Sequence, residues 1–316
     1  MENRDLKMNI ELSEKISVLN KKTILLTGAK GMLGGSFEDI IRRESPDCKL
    51  ISTSTEQMDI TDEEQVLSYA NTHIDIIIHC AAKVDAEFCE NNPQESSKRI
   101  VKGTNNIIKL SSKTNAKIFY PQSFLIFDGR SLPITEKTVP VPLCRYGKDK
   151  LLAEENILKK CSNSLIVRMG GFFGGYNRDK NFVGKIVPYL SKLIESGEKE
   201  ISVGDRIWQP TYTYDLAYNS LILLSNDKNG IYNMASHGQA SFYDLTIKIA
   251  SLLEIENKIN IRKIPSSNFS KKENAQRPDV AIIENTRLRQ ESLDLQRKWD
   301  ESLKEYLCHS YFRDLF

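Results

Sequence analysis

The chain has 316 residues, 40% hydrophobic and 27% charged, a balance that suits a folded protein and excludes a disordered one. Its 44 Lys and Arg against 42 Asp and Glu leave a net charge of +2, which gives no basic footprint for a nucleic-acid partner. No apolar run approaches the about 18–20 residues of a membrane span. The first twenty residues carry charges throughout and lack an apolar stretch, so neither a membrane anchor nor a secretory signal is expected and the location reads as cytoplasmic.

In chain order, short apolar runs alternate with longer amphipathic ones. Thr23 to Gly28 reads as a strand ending in glycine, and Leu33, Phe37, Ile40 and Ile41 then mark one helix face. Lys49–Ser54 predicts a second strand. Thr61 with Glu64 predicts a capping box opening the next helix. Asp75–Cys80 is apolar enough for a strand covered on both faces. Ile100, Thr104, Ile107 and Ile108 predict a long helix, Ala116–Ser123 a fourth strand, 145–160 a helix and Leu165–Met169 a fifth strand. This alternation argues a doubly wound α/β fold with a parallel sheet. After Gly170 come a glycine-rich loop, a helix from about Asn181, a strand, a helix at 215–225, a strand near Tyr232, a helix near Ser241 and a polar loop through Arg277.

Six cysteines occur without C-x-x-C spacing, and four histidines without H-x-H or H-x-x-x-H spacing. Free thiols and no metal site are therefore expected. His79, at the end of an apolar strand, reads as a packed core residue.

Gly28, Gly31 and Gly34 stand at G-x-x-G-x-x-G spacing between a strand and a helix. That context lets a pyrophosphate approach backbone N–H groups at the helix start, through Lys30, Met32 and Leu33 as well as the glycines. The second strand ends in Ser52-Thr53-Ser54 with no carboxylate until Glu56. With Lys30 in the loop, hydroxyl donors and a cation suit a 2′-phosphate, so NADPH is expected, with NADH as the alternative. Asp59 and Ile60 are expected near the adenine. The implied division is an extension over 1–20, a dinucleotide-binding domain over 21–175 with elements near 213–250 returning to it, and a mainly substrate-binding, smaller C-terminal lobe over 176–316.

Tyr146 and Lys150 form Y-x-x-x-K, so phenol and ammonium share one helix face. A nearby cation lowers a phenol's pKa toward useful acid–base chemistry. Ser123, at a strand end, supplies a hydroxyl to fix a substrate oxygen.

These motifs resemble the extended short-chain dehydrogenase/reductases, Rossmann-fold enzymes, and within them the dTDP-4-dehydrorhamnose reductase family. The resemblance runs from about Lys22 to Leu288 and rests on TGAKGMLG, DITD, IIIHCAA, DAEFCENNP, QSFLIFDG, YGKDKLLAEE, IVRMGGFFGG, QPTYTYDLA and QRPDV. It implies reduction of the 4-keto group of a nucleotide-linked 6-deoxysugar, of the kind that feeds polysaccharide biosynthesis. It further implies Ser123, Tyr146 and Lys150 as the catalytic trio, and Ala81, Ala82 and Lys83 beside the cofactor. Arg277 is implied near the nucleotide sugar, and Asp85, Phe124, Asn181 and Trp208 are expected to line the substrate side. The chain departs where the family reads S-T-D-Y-V-F: it has Gln122-Ser123-Phe124-Leu125-Ile126-Phe127. It also has Gly171 where the family commonly carries Trp. These changes point to a different sugar or nucleotide. Alternatives are an epimerase on the same scaffold, or a non-catalytic subunit that binds an S-adenosylmethionine-synthesising enzyme. The chain is expected to be a monomer or homodimer.

Overall fold

The computed structural model describes residues 16–270 and 273–316. Most of the expected extension (1–15) lies outside the described residues. Ile16 and Leu19, within it, are buried in the core beneath the first strand, so this end of the extension is part of the domain.

Six parallel strands form the central sheet: β1 (Thr23–Thr27), β2 (Lys49–Thr53), β3 (Ile76–His79), β4 (Lys117–Ser123), β5 (Ser164–Met169) and β6 (Gly230–Met234), in the spatial order β2-β1-β3-β4-β5-β6. β1, β3 and β5 are buried along their whole length, which explains their largely apolar sequence. Alternate side chains feed two cores. Ile24, Leu26, Ile78, Phe119 and Val167 pack with helix α1 (Met32–Glu44). Leu25, Ile77, Ile118, Tyr120 and Ile166 pack with α2 (Gly103–Thr114) and α3 (Arg145–Lys160). Fully burying each such side chain contributes about 1.5–3 kcal/mol.

The second helical stretch is longer than its apolar spacing suggests. Pro93–Ser97 is helical, Lys98–Lys102 is a π turn, and α2 follows without a break. Gly103 sits against Ile60, where a Cβ would come within 2.6 Å of Cδ1. The expected Thr61–Glu64 capping box is not formed. Asp62 is the cap, accepting from the N–H groups of Glu64 and Gln65, because its carboxylate reaches two orphan donors.

Most of the other elements gather around a further core. They include α4 (Phe182–Glu195), the parallel pair Glu200–Gly204 and Asn260–Ile264, α6 (Phe242–Leu252) and α7 (Trp299–Leu307), with α5 (Thr213–Ser225) between. α5 and β6 belong to the sheet domain: Leu216, Leu221 and Tyr232 lie in its core. α6 packs in the second lobe through Leu245 and Ile249, so the expected return toward residue 250 stops at β6. Leu288 also returns to the first core. Among the described residues no helix is long and apolar enough to cross a membrane.

Candidate active site

The strand order reverses between β1 and β3, which opens a crevice at their carboxyl ends. Gly28 turns out of β1 with φ +71°, and a Cβ there would lie 2.8 Å from the Ala81 nitrogen. Ala81 N–H in turn donates to Thr27 Oγ1 at 3.1 Å. At Gly34 a Cβ would come within 2.2 Å of the Gly28 carbonyl oxygen. The glycines thus bring the α1 N-terminus, the end of β1 and the segment after β3 to backbone contact. This cradle, with the thirteen-residue α1 behind it, fits a dinucleotide pyrophosphate. Leu33's side chain is in the core, leaving its backbone to face the cradle, while Met32 packs beside Gly175.

At the edge of β2 the structure adds to Glu56 a carboxylate from α1, Glu38, that strand reading overlooked. Ser52 donates to Glu38 at 2.9 Å, Ser54 donates to Glu56 at 2.9 Å, and Lys30 is ion-paired with Glu56. Cation and hydroxyls are therefore each held by a carboxylate. Asp59 Oδ1 accepts the Thr61 N–H at 2.9 Å and shapes a turn. Ile60 is core, its carbonyl accepting from Asn106. His79 is buried between Thr27 (2.9 Å) and Thr104 (3.2 Å), and burial pushes its pKa down to about 3, so it is neutral.

Ser123, at the end of β4, lies near Tyr146, in the first turn of α3, close enough for its hydroxyl to pull the phenol's pKa down. Ser123 Oγ also accepts the Leu125 N–H at 3.2 Å. Lys150 follows one turn later, 3% exposed, donating to the Pro121 carbonyl at 2.7 Å with its ammonium 3.7 Å from the Tyr120 ring centroid. Burial pushes Lys150 down to about 7 against the opposing pull of Cys80 and Glu154. The expected lowering of the Tyr146 phenol is not found. Burial drives it well above the usual tyrosine range, and the nearby Ser123 hydroxyl only partly offsets this. The Lys150 ammonium is instead directed at the Pro121 carbonyl and the Tyr120 ring.

On the substrate side, Trp208 occupies the space beside Gly171: a Cβ there would meet its Cε3 at 2.3 Å and Phe124 Cε1 at 3.2 Å. Trp208 is 6% exposed, packs on Phe242 at 5.3 Å, and its buried Nε1 has no protein partner. Three expected ligands have other work. Asp85 caps the helix Ala86–Asn91 through the Phe88 N–H at 3.0 Å. Asn181 ties α4 to the Phe172 carbonyl at 2.7 Å. Arg277 is paired with Glu87 at 2.8 Å and Glu273 at 3.4 Å. Lys83 lies over the Phe88 ring at 4.1 Å, and Ala82 packs against the α2 and α3 core. Sequence reading missed Glu154, although it stands at i+4 from Lys150, the same spacing that revealed the Tyr–Lys pair.

A reductase of dTDP-4-keto-6-deoxy-D-glucose from Streptomyces niveus is 27% identical over 89% of this chain and 95% of its own. Methionine adenosyltransferase 2 subunit beta from Bos taurus is 24% identical over 94% and 90%. The crystal structure of dTDP-4-dehydrorhamnose reductase from Bacillus anthracis, in complex with NADP, superposes with a TM-score of 0.82 at 26% identity, covering 91% of this chain and 99% of that one. The family model described as the RmlD substrate binding domain matches residues 22–312. The cradle, the Ser–Tyr–Lys site and this match over nearly the whole chain place the protein in the RmlD family of extended short-chain dehydrogenase/reductases.

Proposed function

We propose that the protein is an NADPH-dependent reductase of a nucleotide-linked 4-keto-6-deoxysugar, with Tyr146 as the proton donor. The observation that carries this reading is the placement of the Ser123 hydroxyl, at a strand end, near the Tyr146 phenol, one helical turn from a buried Lys150. The loop from Gly28 to Gly34 and the segment from Ala81 to Lys83 would hold the cofactor, whose bound nicotinamide supplies the hydride. The NADP complex of the Bacillus anthracis relative supports the phosphorylated form.

Ser123 fixes the substrate oxygen, and Tyr146 gives its proton to that oxygen as negative charge develops there. A phenol whose pKa burial has raised is fully protonated at neutral pH, which is the form a donor needs. Lys150 orients the ribose and, once drawn from Pro121, stabilises the phenolate left behind. Phe124 and Trp208 give the sugar an apolar wall suited to a deoxygenated carbon.

Tyr146→Phe is expected to lower kcat by about 10²–10⁴-fold while leaving NADP+ affinity unchanged by titration. Full turnover in that variant ends the proposal. The methionine adenosyltransferase relative favours a second reading, a non-catalytic partner subunit. A stoichiometric complex with such an enzyme, and no NADPH oxidation by any keto sugar, would select it. Turnover without net NADPH consumption would select an epimerase.

A further inference from the structure

The strand bearing Ser123 and the helix bearing Tyr146 and Lys150 share no backbone ladder, though Gly147 lets the helix backbone approach the Leu125 carbonyl. One side chain bonds to the backbone of both. Gln122 Oε1 accepts the Ser123 N–H at 2.9 Å. Its Nε2 donates to the Lys150 carbonyl at 3.0 Å and to Glu154 Oε2 at 2.8 Å. Glu154 is in turn held by Arg168 on β5, whose Nη2 donates to Oε1 at 2.5 Å. Gln122 and Arg168 are paired residues in the β4–β5 register. Gln122, Lys150, Glu154 and Arg168 are 3%, 3%, 1% and 4% exposed.

We propose that Gln122, anchored by the Glu154–Arg168 pair, is a positioning residue that fixes the Ser123 strand end against the α3 backbone at Lys150. The proposal rests on the reductase reading for its catalytic consequence and on the hydrogen bonds alone for its structural one. The chemistry requires a primary amide of this length. It must accept from one backbone N–H while donating to a carbonyl and a carboxylate. Glutamate would face Glu154 and leave the Lys150 carbonyl without its donor. Asparagine is one methylene short. Gln122 touches no reacting atom; it acts through Ser123 and Lys150, where a displacement of about 1 Å can cost about 100-fold in rate.

The test is Gln122→Met, which keeps the volume and removes the hydrogen bonds. If that variant does not fold, Gln122→Ser is read in the same way. Hydrogen exchange followed by mass spectrometry is measured on wild type and variant, together with NADP+ affinity and, on a keto-sugar nucleotide, kcat and KM. The expected result is exchange at least fivefold faster, confined to the peptides carrying Ser123 and residues 150–154. With it goes a fall in kcat of about 10–100-fold, with NADP+ affinity and KM for NADPH within twofold of wild type. Unchanged exchange in those peptides overturns the proposal, and so does unchanged kcat. Loss of kcat in parallel with NADP+ affinity and global protection also overturns it, since that is what a purely structural residue would show. If wild type turns over no keto sugar, the reductase reading fails separately, and local exchange alone decides whether Gln122 links strand to helix.

Discussion

The two walls of the cleft are built differently. The proposed cofactor wall is made of contiguous segments: β1, a loop and α1; β3 and its loop; the end of β4; and the first turns of α3. Its geometry follows from strand register and from glycines that let backbone touch backbone. The opposite wall is assembled from side-chain contacts between distant parts of the chain. Trp208 fills the space beside Gly171, Arg277 reaches Glu87, and Arg206 holds Glu273 with two bonds at 3.0 and 3.2 Å. The first wall is rigid because its backbone is packed. The second depends on exchangeable side-chain partners, which is where a family alters its substrate without altering its chemistry.

The largest effect should come from crowding the rigid wall. Gly34→Ala places a methyl group 2.2 Å from the Gly28 carbonyl oxygen, and neither backbone segment has room to yield. Overpacking of this kind costs up to about 3 kcal/mol. That corresponds to a fall of roughly 5–10 °C in the unfolding midpoint, and NADP+ affinity should fall by at least about tenfold. Calorimetry and a binding titration measure the two. An unchanged affinity would mean that the cradle is not the pyrophosphate site.

The same division decides what the sequence reveals. Gly28, Gly31 and Gly34 are legible because their requirement is local, and Tyr146 with Lys150 because helical spacing alone puts them together. The residues whose structural role sequence reading passed over are short polar ones at helix starts. Asp85 precedes Ala86–Asn91, Asn181 precedes α4 and Asp62 precedes Glu63–Leu67. At such positions Asp85 and Asp62 cap helical N–H groups, and Asn181 ties down the preceding loop, before any of them can serve a ligand. The capping signal was present in the sequence at Asp85 and Asp62. The Glu87–Arg277 and Glu38–Ser52 bonds carried no such signal, because no spacing or periodicity links their partners. Trp208 stands between these cases: the missing side chain at Gly171 made it a candidate filler in the sequence, and packing puts it in that space.

A smaller effect, tied to pH, tests the rigid wall's charge. Burial holds Lys150 near 7, below its ordinary 10.5, so in the free protein the ammonium exists below about pH 7 and is lost as pH rises through it. The facing groups are Cys80, whose thiol burial raises to about 12, and Glu154. If the ammonium binds the cofactor ribose, NADP+ affinity should fall by about tenfold between pH 6 and 8, as expected for loss of a charge-assisted hydrogen bond. Lys150→Arg, which stays charged, should flatten the profile. Stability has the opposite sign. Between about pH 7 and 10.5 the unfolded chain binds the extra proton, so folding gains as pH rises. A profile in which affinity and stability moved together would contradict this assignment.

The smallest effect should come from the adjustable wall. Glu87→Gln removes the charge that pairs with Arg277 across the cleft, while its remaining carbonyl oxygen can still accept from the Asn274 or Ala275 N–H. The two side chains are 38% and 24% exposed, so solvent screens the pair and its loss costs at most about 1 kcal/mol. The unfolding midpoint should drop by only about 1–3 °C. KM for the nucleotide sugar should rise by about two- to fivefold, with kcat and NADP+ affinity held, and added salt should reduce the difference from wild type. A loss of NADP+ affinity equal to the change in KM would show that the two walls are mechanically one, and that the contrast between packed backbone and exchangeable side chains does not extend to function.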